Sequence, residues 1–214
     1  MIILTYAVYI IVILFSVIIH EVSHGWVAEL CGDDTARSMG RLTLNPLPHI
    51  DIVGTVLLPA ILIYTHGPIF GWAKPVPVNP YRLNDPKRDM MWVGLAGPAS
   101  NVILALAAAF VMWFIRSYPI FPEAVHDSLL PLAFVVLQLN VMLFVINLIP
   151  VPPLDGSRVV TALLPPQLAF RYARLETYGI ALVLILFMTG IVTAIFGPVI
   201  NFLVFFLSGG KQLL

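Results

Sequence analysis

The sequence predicts an all-α polytopic membrane protein of about four to six transmembrane or re-entrant helices, with a short membrane-associated strand or hairpin after the first. Three observations carry this. Of the 214 residues, 60% are hydrophobic and 10% charged, whereas soluble domains carry about a quarter charged residues. Several apolar stretches are long enough to cross a bilayer. No hydrophilic block is long enough to fold separately, so residues 1–214 read as a single membrane-embedded domain. Eleven basic residues balance eleven acidic ones, which removes the electrostatic case for nucleic acid or a polybasic lipid anchor. Cys31 is the only cysteine, so an internal disulfide and a multi-thiolate metal site are excluded; it reads as an inert thiol.

Residues 2–19 are apolar apart from Thr5 and Ser16 and run straight into HEVSHGWVAEL. With no basic n-region and no small-residue cleavage site, the stretch reads as a retained span. One helix of about 28 residues carries both parts and places the polar cluster deep in the membrane. Gly32, Asp33 and Asp34 end it. ARSMGRLTLNPLPHID follows, and its alternation around Arg41, Leu42, Thr43 and Leu44 predicts a strand within Arg37 to Asn45. Residues 52–65 are apolar but short, with Pro59 near the middle, which suits a re-entrant or interfacial segment better than a full span. FGWAKPVPVNPYRLNDPKRD reads as an interfacial loop, with Trp72 at headgroup level. Spans are expected over residues 90–115 and 129–149, joined by a polar turn around Pro122 to Asp127. After PVPPLDGSRVVTALLPPQ comes a last apolar stretch from Tyr178 to Leu207, interrupted at Gly190 and at Gly197-Pro198, either one kinked helix or two short ones.

The chemistry concentrates in H-E-x-x-H. His20 and His24 share a helical face, so both imidazoles can reach one zinc ion at roughly 2.0 to 2.1 Å. Zinc brings the pKa of its water to around 7, and Glu21 is placed to accept the proton during attack on a carbonyl. Three ionisable groups within five residues of a span are costly without a ligand or a function, which disfavours a merely polar cavity. A catalytic site needs a third protein ligand, and Glu29, Asp33, Asp34, Asp51 and Asp155 are candidates. The soluble extension H-E-x-x-H-x-x-G-x-x-H is absent, because Val27 and Leu30 stand at its last two marked places. A metal transporter would use His20, His24 and Asp155 but leaves Glu21 without a task. A zinc hydrolase acting on lipid fits the same residues, and a metal-binding scaffold does not need the glutamate.

HEVSH near the end of one apolar helix, GLAGPASN opening another and NLIPVPPLDG closing a third together resemble the site-2 protease family of intramembrane zinc metalloproteases. The motifs span residues 20–156, and GRLTLNPLPHID and FGWAKPVPVNP resemble its compact members without PDZ or CBS domains. The resemblance implies one zinc per chain held by His20, His24 and Asp155, with Glu21 as general base and Asn147 holding the substrate or its oxyanion. It also implies transmembrane protein substrates, a place in the lipid bilayer, and either regulated proteolysis or clearance of membrane remnants. The residues give Asp155 separate support, since a carboxylate at an apolar helix end, after Pro152-Pro153 and before Gly156, sits where helix geometry is released. Asn140 and Asn101 read as hydrogen-bonding ties between helices, and Gly94, Gly97 and Pro98 as points of close helix approach. His49, His66 and His126 read as histidines of polar connections with no metal role.

Parity tests the architecture. If residues 52–65 crossed the membrane, Asp155 and His24 would emerge on opposite faces; if they dip and return, both lie on one face and can share a metal. That face holds Arg37, Arg41, Lys74, Arg82, Lys87, Arg88, Arg158, Arg171 and Arg174, against Arg116 and Lys211 opposite. The positive-inside bias therefore predicts a multi-pass plasma-membrane protein with its site toward the cytoplasm and its N-terminus outside.

Overall fold

A computed structural model describes residues 2–65, 71–118 and 121–210; His66 and Lys211 lie outside them. The first helix, α1, runs from Ile2 to Leu30 without a break, because its apolar residues satisfy every backbone group internally, as a bilayer requires. After a left-handed turn at Gly32 (φ 106°) come α2 (Thr35–Ser38), a 3₁₀ turn at Leu47–His49, and a π-helical turn, Ile52–Leu57, continuing into α3 (Leu58–Tyr64). The central pair is α4 (Pro86–Ser117) and α5 (Glu123–Asn147). Then follow α6 (Asp155–Leu163), α7 (Pro166–Ala173), α8 (Gly179–Met188) and α9 (Ile191–Leu207).

Three of these helices are long and apolar enough to cross a membrane, and α7 to α9 make a fourth span if their bent pair counts as one. Both expected central spans begin earlier than the apolar residues alone indicate. The Asp85 side chain caps Arg88 N at 3.2 Å, with Pro86 pre-set for the first turn, so α4 starts on polar sequence. Likewise α5 already includes Glu123 to Asp127, expected as a turn. The last apolar stretch breaks only at Gly190, which takes φ 72°, and bends there by 73°. Gly197-Pro198 lies within α9 without ending it.

The membrane core is made where small residues of α4 let α5 and α9 approach: Ala105 and Ala108 pack on Leu137, Val141, Val145 and Val204. Large apolar side chains such as Ile103, Phe110, Trp113 and Phe202 stay exposed, as they do where the solvent is lipid. At the end of α4, Arg116 donates to Ser208 O at 2.5 Å, so α9 finishes beside the finish of α4.

The Ile52–Tyr64 helix spans about 20 Å at 1.5 Å per residue, short of a hydrocarbon core of about 30 Å. The chain then comes back to where it started. Trp72 N donates to Gly54 O (3.1 Å), Thr55 Oγ1 donates to Trp72 O (2.9 Å), and Lys74 N donates to His49 O (2.8 Å). The indole of Trp72 lies against Gly54, where any Cβ would collide with it. Among the described residues no strand is assigned. Arg37, expected to open one, is in α2, and residues 41–45 form bends in which Thr43 Oγ1 and Asn45 Oδ1 accept from nearby backbone N–H groups. Such local bonds compete with a sheet ladder.

Candidate metal centre

His20 and His24 stand one turn apart on the buried face of α1, their rings crossed at 86° with centroids 4.7 Å apart. Their Nε2 atoms are 3.0 Å apart. Asp155, the first residue of α6, brings Oδ2 to 3.0 Å from the first and 3.2 Å from the second. All three residues are buried. His20 Nδ1 faces Asn101 Oδ1 at 2.7 Å, and His24 Nδ1 faces Val93 O at 2.6 Å. With both Nδ1 atoms engaged outward, both Nε2 atoms turn inward upon Asp155 Oδ2, a buried oxygen that receives no hydrogen bond.

Three electron-rich atoms crowded together away from water are unfavourable without a cation. Tetrahedral ligands at 2.0 to 2.1 Å from zinc lie about 3.3 Å from one another, close to the spacing found here. The donor set of two imidazoles and one carboxylate is that of catalytic zinc. The residues present therefore fit the ion.

The other carboxylates considered from sequence are occupied elsewhere. Glu29 pairs with Arg37, and Asp34 with Arg82. Asp51 caps Val53 N and Gly54 N. Asp33, wholly buried, accepts from the backbone and hydroxyl of Thr35 and from Asn79 N. Burial alone would raise the Asp33 carboxyl, but those donors hold it below the usual carboxylate range.

Glu21 is half-buried, and its ligand atom lies within 4.8 Å of those of His20 and His24. Its Oε2 accepts from Val76 N at 2.9 Å. Val76 lies between Pro75 and Pro77, which have no N–H to offer, so its amide is the single donor of that tripeptide. The segment is clamped from behind. Arg41, buried, donates to Lys74 O at 2.8 Å and to Pro75 O at 3.2 Å. His49, expected in a polar connection, is 1% exposed, with Nε2 2.9 Å from Thr43 O. GRLTLNPLPHID and the GWAKPVPVNP part of the second motif thus form one platform behind Glu21.

Gly97 eases a close approach, and what approaches it is the His20–His24 pair. A Cβ there would stand 2.5 Å from His20 Cε1, His20 Nε2 and His24 Nε2. At Gly94 it would meet Arg158 Cβ at 2.9 Å and Asp155 O at 3.2 Å. Asn147 lies at the end of α5, half-buried, with Nδ2 donating to Leu143 O of its own helix at 2.9 Å. Sequence reasoning missed Arg41, Val76 and the place of Asn101 beside His20. A buried arginine in a loop and an isolated N–H between prolines were the available signals.

The pattern of peptidase family M50 matches residues 8–128 and 118–190. "Putative zinc metalloprotease YwhC" of Bacillus subtilis is 39% identical over 193 residues, 90% of this chain and 85% of that protein. "Putative zinc metalloprotease Rip2" of Mycolicibacterium smegmatis is 30% identical over 82% of this chain and 64% of its own length. "Zinc metalloprotease MJ0392" of Methanocaldococcus jannaschii is 25% identical over 77% of this chain and 37% of that protein. No solved structure matches the chain.

Proposed function

This chain belongs to peptidase family M50 and is a zinc metallopeptidase of the membrane, and we propose that it hydrolyses peptide bonds within or beside the transmembrane segments of other membrane proteins. One observation carries the reading: His20 Nε2, His24 Nε2 and Asp155 Oδ2 converge among apolar helices, with Glu21 beside them. Those three residues would hold one zinc ion per chain. When bound, zinc supplies a Lewis acid that polarises a carbonyl and brings water toward ionisation near neutral pH.

Glu21 is the general base. With Oε2 held by Val76 N, its carboxylate takes a proton from the attacking water and afterwards returns it to the leaving amine. Asn147 holds the substrate carbonyl as negative charge develops on its oxygen. A transmembrane helix hides its peptide bonds in internal hydrogen bonds, so the substrate unwinds before it reacts. Residues 41–45 pair with its extended form by strand addition once their local bonds at Thr43 and Asn45 are given up; proline at Thr43 that left cleavage unchanged would dismiss this pairing. The excess of arginine and lysine on the metal side supports a plasma-membrane orientation with the site toward the cytoplasm and the N-terminus outside.

The test uses wild type and Glu21→Gln purified in detergent, with zinc quantified in each and both incubated with a panel of single-span membrane proteins. Bound zinc in both, with cleavage by wild type alone at sites in or beside the spans, upholds the reading. Zinc in both and cleavage by neither would overturn it and favour transport or a metal-binding scaffold.

A further inference from the structure

Behind His20 runs a chain of buried amides that reaches across three helices. His20 Nδ1 lies 2.7 Å from Asn101 Oδ1 on α4. Asn101 Nδ2 donates to Asn140 Oδ1 on α5 at 2.9 Å. Asn140 Nδ2 donates to Val136 O at 2.8 Å and to Ser16 Oγ on α1 at 2.9 Å. Asn101 and Asn140 are both 0% exposed, so water cannot replace a partner that is turned the wrong way.

We propose that Asn140 and Asn101 are positioning residues that fix the proton of His20 on Nδ1, leaving Nε2 bare for the metal, and that the backbone carbonyl of Val136 sets the direction of the whole relay. An amide offers donors on one side and an acceptor on the other. Turned about, Asn140 would set its oxygen against Val136 O with no proton between them. Its nitrogen therefore faces Val136, and its oxygen faces Asn101. Asn101 must answer with its nitrogen, which leaves its oxygen toward His20. An amide oxygen only accepts, so Nδ1 carries the hydrogen, and a neutral imidazole has only one N–H. Ser16 sets nothing, because a hydroxyl can either donate or accept. His24 reaches the same protonation by a shorter route, its Nδ1 lying directly on Val93 O at 2.6 Å.

The two ligands thus reach one tautomer by independent means, and His24 is an internal reference for His20. The proposal rests on the reading of His20 Nε2 as a metal ligand, and partners that orient a ligand imidazole typically contribute 10- to 100-fold in metal affinity.

The experiment measures zinc affinity by chelator competition and, in zinc-free protein with ¹⁵N-labelled histidine and Asp155→Ala, which removes the carboxylate that would draw a proton onto Nε2, the tautomer of each imidazole by NMR. Asn101→Leu should weaken zinc by about 10- to 100-fold and release His20 from the pure Nδ1–H form while His24 keeps it. Asn140→Leu or Asn140→Ala, which removes no contact to His20, should act in the same direction. Ser16→Ala should change neither reading. Asn101→Asp, which keeps an oxygen toward Nδ1 and, protonated on the other oxygen, a donor toward Asn140, should recover most of the affinity. Unchanged affinity and an unchanged His20 tautomer in the Asn140 variants would overturn the proposal, as would His20 and His24 shifting together. Wild type that bound no zinc would refute the ligand reading alone, since the tautomer measurement needs no metal and still judges the relay.

Discussion

His20 and Glu21 are consecutive residues of α1, yet different kinds of structure hold them. His20 is fixed by buried side chains of α4 and α5 within the membrane bundle. Glu21 is fixed by one backbone N–H of a proline-flanked segment, which Arg41 clamps from outside the bundle. A metal ligand must be held still and dry, and rigid helices serve that need. A general base must meet water and an incoming substrate, and loops offer such access. On the roles proposed for His20 and Glu21, metal binding and turnover would have separate supports in this molecule, so variants should sort by which support they touch.

The largest effects are expected on the helix side. Asp155→Ala removes one of three converging donors, and zinc content and proteolysis should both fall to background; metal analysis and a cleavage assay on the same sample check this. Next comes Gly97→Ala. Its methyl group would sit 2.5 Å from both imidazoles, so zinc affinity should fall at least about tenfold, as it does when the orientation of ligands is lost. Zinc binding unchanged in Gly97→Ala would mean that α4 can withdraw from the site, and the rigid half of the comparison would fail.

On the loop side, Arg41→Ala should leave zinc content unchanged while kcat drops by about 10- to 100-fold, the scale of a small misplacement of a reacting group. Arg41→Lys should restore part of it, since an ammonium keeps the charge but sits on a shorter, differently shaped side chain than the single guanidinium nitrogen, Nη2, that serves both Lys74 O and Pro75 O. Added guanidinium should rescue Arg41→Ala and leave Arg41→Lys little changed. Loss of zinc along with kcat would join the two supports into one.

The same division governs what could be read from sequence. The meeting of His20 and His24 was legible because a four-residue spacing on a helix is a geometric statement by itself. The return of residues 52–64 was legible through length, Pro59 and parity. Arg41 and Val76 were not legible, because what they do depends on two loops meeting, which no periodicity encodes. The strand expected within Arg37 to Asn45 rested on alternation in Arg41 to Leu44. Helical α2 takes in Arg37, and local side-chain bonds at Thr43 and Asn45 compete for the backbone that a ladder would need. Asn101 and Asn140 were recognised as helix ties, and the same contacts turn out to end on His20. Sequence could give their chemistry but not their order in a chain of hydrogen bonds.

The smallest effect tests the far edge of the platform. Asp33 joins the end of α1 to Asn79 through a 2.6 Å bond from the Asn79 amide, and so ties down the segment that carries Val76. Asp33→Asn keeps an oxygen for Thr35 but sets an amide group against the Asn79 N–H, and should cost about 1 to 2 kcal/mol of stability. The pH dependence separates this role from a general loosening. The Asp33 carboxyl lies below its usual range in the folded protein, so its contribution is present above the unfolded value of about 3.9 and is lost as pH falls through the folded one. Thermal unfolding in detergent should therefore show wild type losing its advantage over Asp33→Asn below about pH 4, with zinc content at neutral pH equal in the two proteins. A constant gap across that range would assign Asp33 a role that does not depend on its charge, and unequal zinc at neutral pH would show that the loop platform reaches the ligands after all.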